Sequence, residues 1–75
     1  MQPYRNAGGD SPVAAYETAA DSITVEFTDG GIYLYTARST GKAAIADMQR
    51  LAAAGRGLAT YINQHVRQNY ARRLR

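Results

Sequence analysis

The sequence predicts an α+β domain, a three-stranded antiparallel sheet followed by two C-terminal helices in the order β-β-β-α-α. Three observations carry that expectation. Apolar and polar residues alternate at period two through Ile23-Thr-Val-Glu-Phe27, the dipeptide Asp29-Gly30 offers a tight turn, and from Ser39 onward the apolar positions recur at helical spacing.

Taken in order, residues 1–10 hold a proline and paired glycines without periodicity, and read as a flexible leader outside the core. Residues 11–75 then form a single domain. Val13 to Glu17 is a first β-type run, entered after Ser11-Pro12, whose ring favours a strand start. Ile23–Phe27 and Ile32–Thr36 are the second and third, β-branched and aromatic in the manner of half-buried strands.

The turn between them sets which face Tyr33 and Tyr35 occupy. If Asp29 and Gly30 are the two central turn residues, Phe27 faces Ile32, Val25 faces Leu34 and Ile23 faces Thr36, while Thr24, Glu26, Tyr33 and Tyr35 take the other face. A three-residue loop over Asp29-Gly30-Gly31 reverses this and sends both tyrosines into the core. The two-residue turn is favoured, since it gathers every aliphatic side chain on one face.

Ser39 or Thr40 can cap the first helix, whose stripe is Ala44, Ile45, Met48, Leu51 and Ala52, and Gly55 suits the left-handed position that ends it. Gly57 opens a second helix with the stripe Leu58, Tyr61, Ile62, His65, Val66, Asn69 and Tyr70. Both helices are expected to cover the aliphatic face of the sheet.

Composition narrows the function classes. A chain of 75 residues makes one domain that buries only about 60% of its unfolded surface, so no large active-site cavity is expected. There is no cysteine, hence no disulfide framework or thiolate metal site. No apolar run has the length of a signal peptide or a membrane span, which makes a cytoplasmic protein without a membrane partner the expectation.

The net charge of +3 is unevenly spread, residues 1–37 balancing at −4 and residues 38–75 at +7, with Asp47 the only acid of the second half. Clustered Lys and Arg steer phosphates, so RNA or another polyanion is one candidate partner; a solvated helix face with a basic tail explains the same charges.

Several of these residues together match a known pattern. Ser11-x-Val13-x-x-Tyr16, the strand ending near Asp29-Gly30, the triplet Tyr33-Leu34-Tyr35, and Ala54-Gly-Arg-Gly-Leu58 followed by Tyr61-Ile-Asn63, Val66-Arg67 and Tyr70 resemble the KTSC domain over roughly residues 11 to 71. That family occurs alone in bacterial proteins and at the C-terminus of some lysyl-tRNA synthetases. The resemblance implies a small domain of uncharacterised function, for which RNA binding has been suggested from its attachment to a tRNA enzyme. The family's tyrosine-x-tyrosine signature falls on Tyr33 and Tyr35, and its aromatic-Asn element near Tyr61 and Asn63, with Ile62 intervening. A Val-Pro common after the third strand is replaced here by Ala37-Arg-Ser-Thr40.

The candidate nucleic-acid-binding residues are then Tyr33 and Tyr35, a platform for stacked bases if they lie on an open face, with Arg38, Lys42, Arg50, Arg56, Arg67, Arg72 and Arg73 for phosphates. Tyrosines that merely pack or make a dimer contact fit the pattern too. Ser39-Thr-Gly-Lys42 offers a weak anion site, and it lacks the upstream glycine of a phosphate-binding loop. His65 stands alone in a helical stripe, and the acids are scattered, so no catalytic residue, metal site or cofactor is expected and the protein reads as a non-enzyme. Alternatives to nucleic acid are a protein-interaction or homodimerisation module, and an inhibitor encoded on a mobile element that binds a host complex.

Overall fold

The computed structural model describes every residue of the chain except Gly8, Asp10 and Arg67. The α+β class holds, with an antiparallel sheet and helices packed on one face of it. Among the described residues the sheet has five strands in the order β1-β2-β3-β4-β5: β1 (Gln2–Pro3), β2 (Val13–Ala19), β3 (Ser22–Phe27), β4 (Ile32–Thr36) and β5 (Arg72–Arg73). Between β4 and β5 run α1 (Ala37–Thr40), α2 (Lys42–Ala54) and α3 (Leu58–Tyr61), the last continuing as a π-helical turn over Ile62–Val66. The three central strands are those the sequence predicts, two short edge strands are added to them, and three helices with a π-helical turn stand where two helices were expected.

Residues 2–7 are more than a leader. Pro3 pairs with Ala15 and Gln2 with Tyr16, and Tyr4 enters the core at 6% exposure with its hydroxyl accepting from the Leu58 N–H at 3.3 Å. A single buried ring does this without any periodicity to announce it. Ala7 N–H also donates to the Gly55 carbonyl at 2.7 Å, which ties the segment to the corner between α2 and α3.

The β3–β4 hairpin corrects the expected two-residue turn. Val25 pairs with Tyr33 and Ile23 with Tyr35, while Glu26 pairs with Ile32 and Thr24 with Leu34. The loop is three residues long, Thr28-Asp29-Gly30, one residue earlier than the three-residue alternative; Phe27 N–H donates to Gly31 O at 2.8 Å and Gly30 N–H to Phe27 O at 2.9 Å. Asp29 Oδ1 accepts from Gly31 N–H at 2.9 Å, and Gly30 takes φ +95°, which a residue with a Cβ resists. Changing the count of loop residues by one exchanges the faces, and the tyrosines turn inward. Tyr35 is 2% exposed, and Tyr33 packs half-buried against the core. Aromatic rings bury more area than aliphatic chains, so this register hides the larger side chains while Ile32 and Leu34 stay half-buried on the outer face.

The sheet-to-helix junction is also built earlier than expected. Thr36 caps α1 by accepting from Ser39 N–H at 3.1 Å, and Ser39 Oγ accepts from Thr36 N–H at 3.1 Å. Gly41, at φ +96°, then separates α1 from α2, so neither Ser39 nor Thr40 caps the long helix. Gly55 ends α2 in the left-handed conformation, as its position predicts.

From α2, Ile45, Met48 and Ala52 are buried, and Leu58 of α3 with Ile62 and Val66 of the π-helical turn extend that layer. Opposite them lie Val13, Tyr16, Ile23, Val25 and Tyr35 of the sheet. Gln49 Nε2 donates to the Ala19 and Ser22 carbonyls at 2.8 and 2.9 Å, fastening α2 to the β2–β3 turn. His65, placed by periodicity in the buried stripe, is exposed and lies against Tyr61, with ring centroids 4.5 Å apart. Among the described residues no helix is long and apolar enough to cross a membrane.

Candidate nucleic-acid interface

Turning Tyr33 and Tyr35 inward removes the open stacking platform and replaces it with a cavity. Tyr35 projects from β4 beneath the helices, and Tyr33, two residues back on the same face, points toward the hairpin loop. After the π-helical turn the chain returns to the sheet and brings Tyr70 edgewise against both rings, at 4.8 Å from Tyr33 and 6.2 Å from Tyr35. Phe27 completes the group at 5.6 Å from Tyr33. These four rings with Pro12, Ile62, Asn63, Gln68 and Asp29 line a cavity of about 300 Å³.

The edge strand β5 supplies the charge. Ala71 N–H donates to Leu34 O and Leu74 N–H to Ile32 O, each at 2.7 Å, and Ile32 N–H donates to Arg75 O at 3.0 Å. Arg73 lies opposite Tyr33 in this register and therefore on the inner face, where its guanidinium carbon sits 5.3 Å from the Tyr33 ring centre. That is a cation–π contact. Asp29 belongs to the cavity and also to an adjoining cleft formed with Gly30, Gly31, Arg73 and Arg75. Arg75 Nη2 approaches Glu26 Oε2 at 3.5 Å, an exposed pair that leaves much of its guanidinium in water.

Burial pushes the Tyr35 phenol up to about 12, helped by the negative charges Tyr33 and Tyr70 acquire on ionisation. It is a hydrogen-bond donor at any physiological pH. Tyr61, half-buried at the end of α3, is also shifted upward, first by burial and then by Asp47, whose Oδ2 accepts a hydrogen bond from its hydroxyl at 3.3 Å.

Of the residues expected to contact nucleic acid, the structure brings Tyr33, Tyr35 and Arg73 together. Arg72 is exposed one residue away, opposite Leu34 on the outer face. Arg38 on α1 and Lys42 at the start of α2 are exposed and are not among the residues that line the cavity. Arg50 is engaged with Asp47 at 3.2 Å, and Arg56 lines a separate cleft with Tyr4, Asn6 and Gly57. Arg67 lies outside the described residues. In the segment Ser39-Thr-Gly-Lys42, expected as an anion site, the Ser39 N–H serves the cap and the Gly41 N–H donates to Ala37 O at 2.8 Å, so two of its amides are engaged internally. Asn63, Gln68, Phe27 and Asp29 are cavity residues that the stacking-platform reading did not select. Their common signal, closeness to the tyrosine face, depends on the hairpin register.

A scan of protein-family models returns no match to this chain, and searches of curated proteins and of solved structures return none.

Proposed function

We propose that this chain is a small non-enzymatic module that binds single-stranded nucleic acid, RNA foremost. The observation that carries the reading is Arg73, held over Tyr33 by the β4–β5 register, so that a cation and an aromatic wall adjoin one cavity. Single strands offer unstacked bases for aromatic rings and phosphates for arginines, the pairing that sequence-tolerant binders use. Arg72, Arg73 and Arg75 attract the backbone, and the likeness of Tyr33-Leu34-Tyr35 and its companions to the KTSC domain agrees with an RNA partner.

A salt titration with labelled single strands tests it. Three phosphate contacts give a slope of about −2 in log affinity against log salt, and Arg73→Ala reduces the slope by about 0.7. No binding at low salt, or an affinity that ignores salt, ends the proposal.

One observation favours a second reading, self-association through the outer face of the sheet. Ile32 and Leu34 are half-buried there, and Leu74, bonded to Ile32 through the backbone, is 48% exposed. Light scattering across concentration, with Leu34→Ser as the control, separates a dimer from a monomer.

A further inference from the structure

We infer that the cavity beside β4 receives one unstacked nucleobase and prefers adenine. The inference deepens the nucleic-acid reading and rests on it for the biological context, while the chemistry of the cavity stands by itself.

Size sets the first limit. At about 300 Å³ the cavity lies at the small end of ligand pockets, with room for one ring system. Its walls suit a flat aromatic ligand. The neighbouring rings meet at 78°, 63° and 89°, so they are not stacked in parallel upon one another. Edge-to-face groups of this kind accept a further ring by the same electrostatics that arranged them.

The polar groups then discriminate among bases. Asn63 and Gln68 each carry an amide that presents a donor beside an acceptor, the arrangement that pairs with adenine's exocyclic amine and adjacent ring nitrogen. Asp29 adds an acceptor-only carboxylate, fixed by the Gly31 N–H at its Oδ1. Along the edge those amides read, a carboxylate attracts adenine's exocyclic amine and repels the carbonyl oxygen that guanine carries at that position, guanine's own amine lying on its other edge; uracil has no exocyclic amine at all. Cytosine keeps the amine but covers less of the aromatic wall than a purine. Arg73 and Arg75 share the adjoining cleft with Asp29, and the ribose-phosphate of a seated base lies in reach of that side.

The test uses nucleosides first, because they carry no phosphate. Adenosine and uridine are titrated separately into the intact protein while the ring protons of Tyr33 and Tyr70 are followed by NMR. Adenosine is expected to move both sets of signals at concentrations where uridine leaves them still. Equal responses, or none to either, overturn the inference. In parallel, short oligo(A) and oligo(U) strands are compared at fixed salt, with an expected preference of about tenfold for oligo(A), within the range of one bidentate pair. Asn63→Ala and Gln68→Ala change exposed side chains, so folding is retained; each is expected to reduce that preference and leave the salt slope intact. Strands that bind with salt dependence but without base preference overturn the adenine cavity and leave the single-strand module standing. Adenosine that binds while strands do not supports the cavity and removes the single-strand module.

Discussion

The two edges of the sheet are built from similar parts and finished in opposite ways. Each is a two-residue strand with a tyrosine beside it, Tyr4 after β1 and Tyr70 before β5. Tyr4 is sealed in the core and its hydroxyl satisfies the Leu58 N–H at the start of α3. Tyr70 is half-buried, set edgewise against Tyr33 and Tyr35 at the rim of the cavity. The proline in β1 removes a donor from its edge, whereas β5 meets solvent with arginines. The first edge is sealed by a buried ring, and the second is left open and cationic.

The comparison is broken most directly by the pair Tyr4→Ala and Tyr70→Ala. Truncating a fully buried aromatic costs about 3 to 5 kcal/mol, a large share of what a domain of this size possesses. Tyr4→Ala is therefore expected to unfold much of the population near room temperature, and urea titration followed by circular dichroism measures it. Tyr70→Ala loses only edge contacts and partial burial, about 1 to 2 kcal/mol. If Tyr70→Ala proves the more damaging, the division between a sealed edge and an open edge is wrong.

Alkaline pH probes the second edge next. Tyr35 ionises near 10.0 when unfolded and near 12 when folded, chiefly because it is buried. A raised acid keeps its full contribution below the unfolded value and loses it as pH climbs toward the folded one. Stability should then fall between pH 10 and 12, and Tyr35→Phe should flatten the fall. An unchanged slope in Tyr35→Phe would mean that the phenol is not enclosed.

How much of this was legible in the chain depends on what kind of signal each element carries. The three central strands and the end of α2 at Gly55 follow from β-type runs, the alternation of Ile23–Phe27, helical periodicity and a glycine at a left-handed position, all of them local signals. The face of Tyr33 and Tyr35 rests on a single loop residue. Counting aliphatic side chains favoured the wrong register there, because the count gave no weight to the larger area of the rings or to the Asp29–Gly31 bond. Tyr4 and β5 were illegible for another reason. Two-residue strands have no period to read, and each depends on partners far along the chain, Leu58 for Tyr4 and Ile32 and Leu34 for the residues around Arg73. Of the candidate site, Tyr33, Tyr35 and Arg73 could be named from the sequence, but their assembly with Asn63 and Gln68 required the register first.

Gly55→Ala sharpens the account of the first edge. At φ +75° a side chain is strained, and its Cβ would overlap the Arg5 Cβ that follows Tyr4. Together these are expected to cost about 1 to 3 kcal/mol. Arg5→Gly, which vacates that space, should recover part of the loss if the N-terminal segment lies on the corner as described, and none if it does not.

Arg75→Gln gives the smallest effect and the cleanest distinction. Its pair with Glu26 at 3.5 Å is exposed on the arginine side, and such pairs contribute about 0 to 1 kcal/mol, so the thermal midpoint should hardly move. The β4–β5 pairing persists as well, because Ile32 bonds to the Arg75 backbone rather than to its side chain. Binding should respond differently. Removing one cation from the cleft shared with Arg73 and Asp29 takes one phosphate contact away, lowering the salt slope by about 0.7 without a change in base preference. A stability loss as large as that of Tyr70→Ala would make Arg75 a structural residue, and the C-terminal edge would then resemble the N-terminal one.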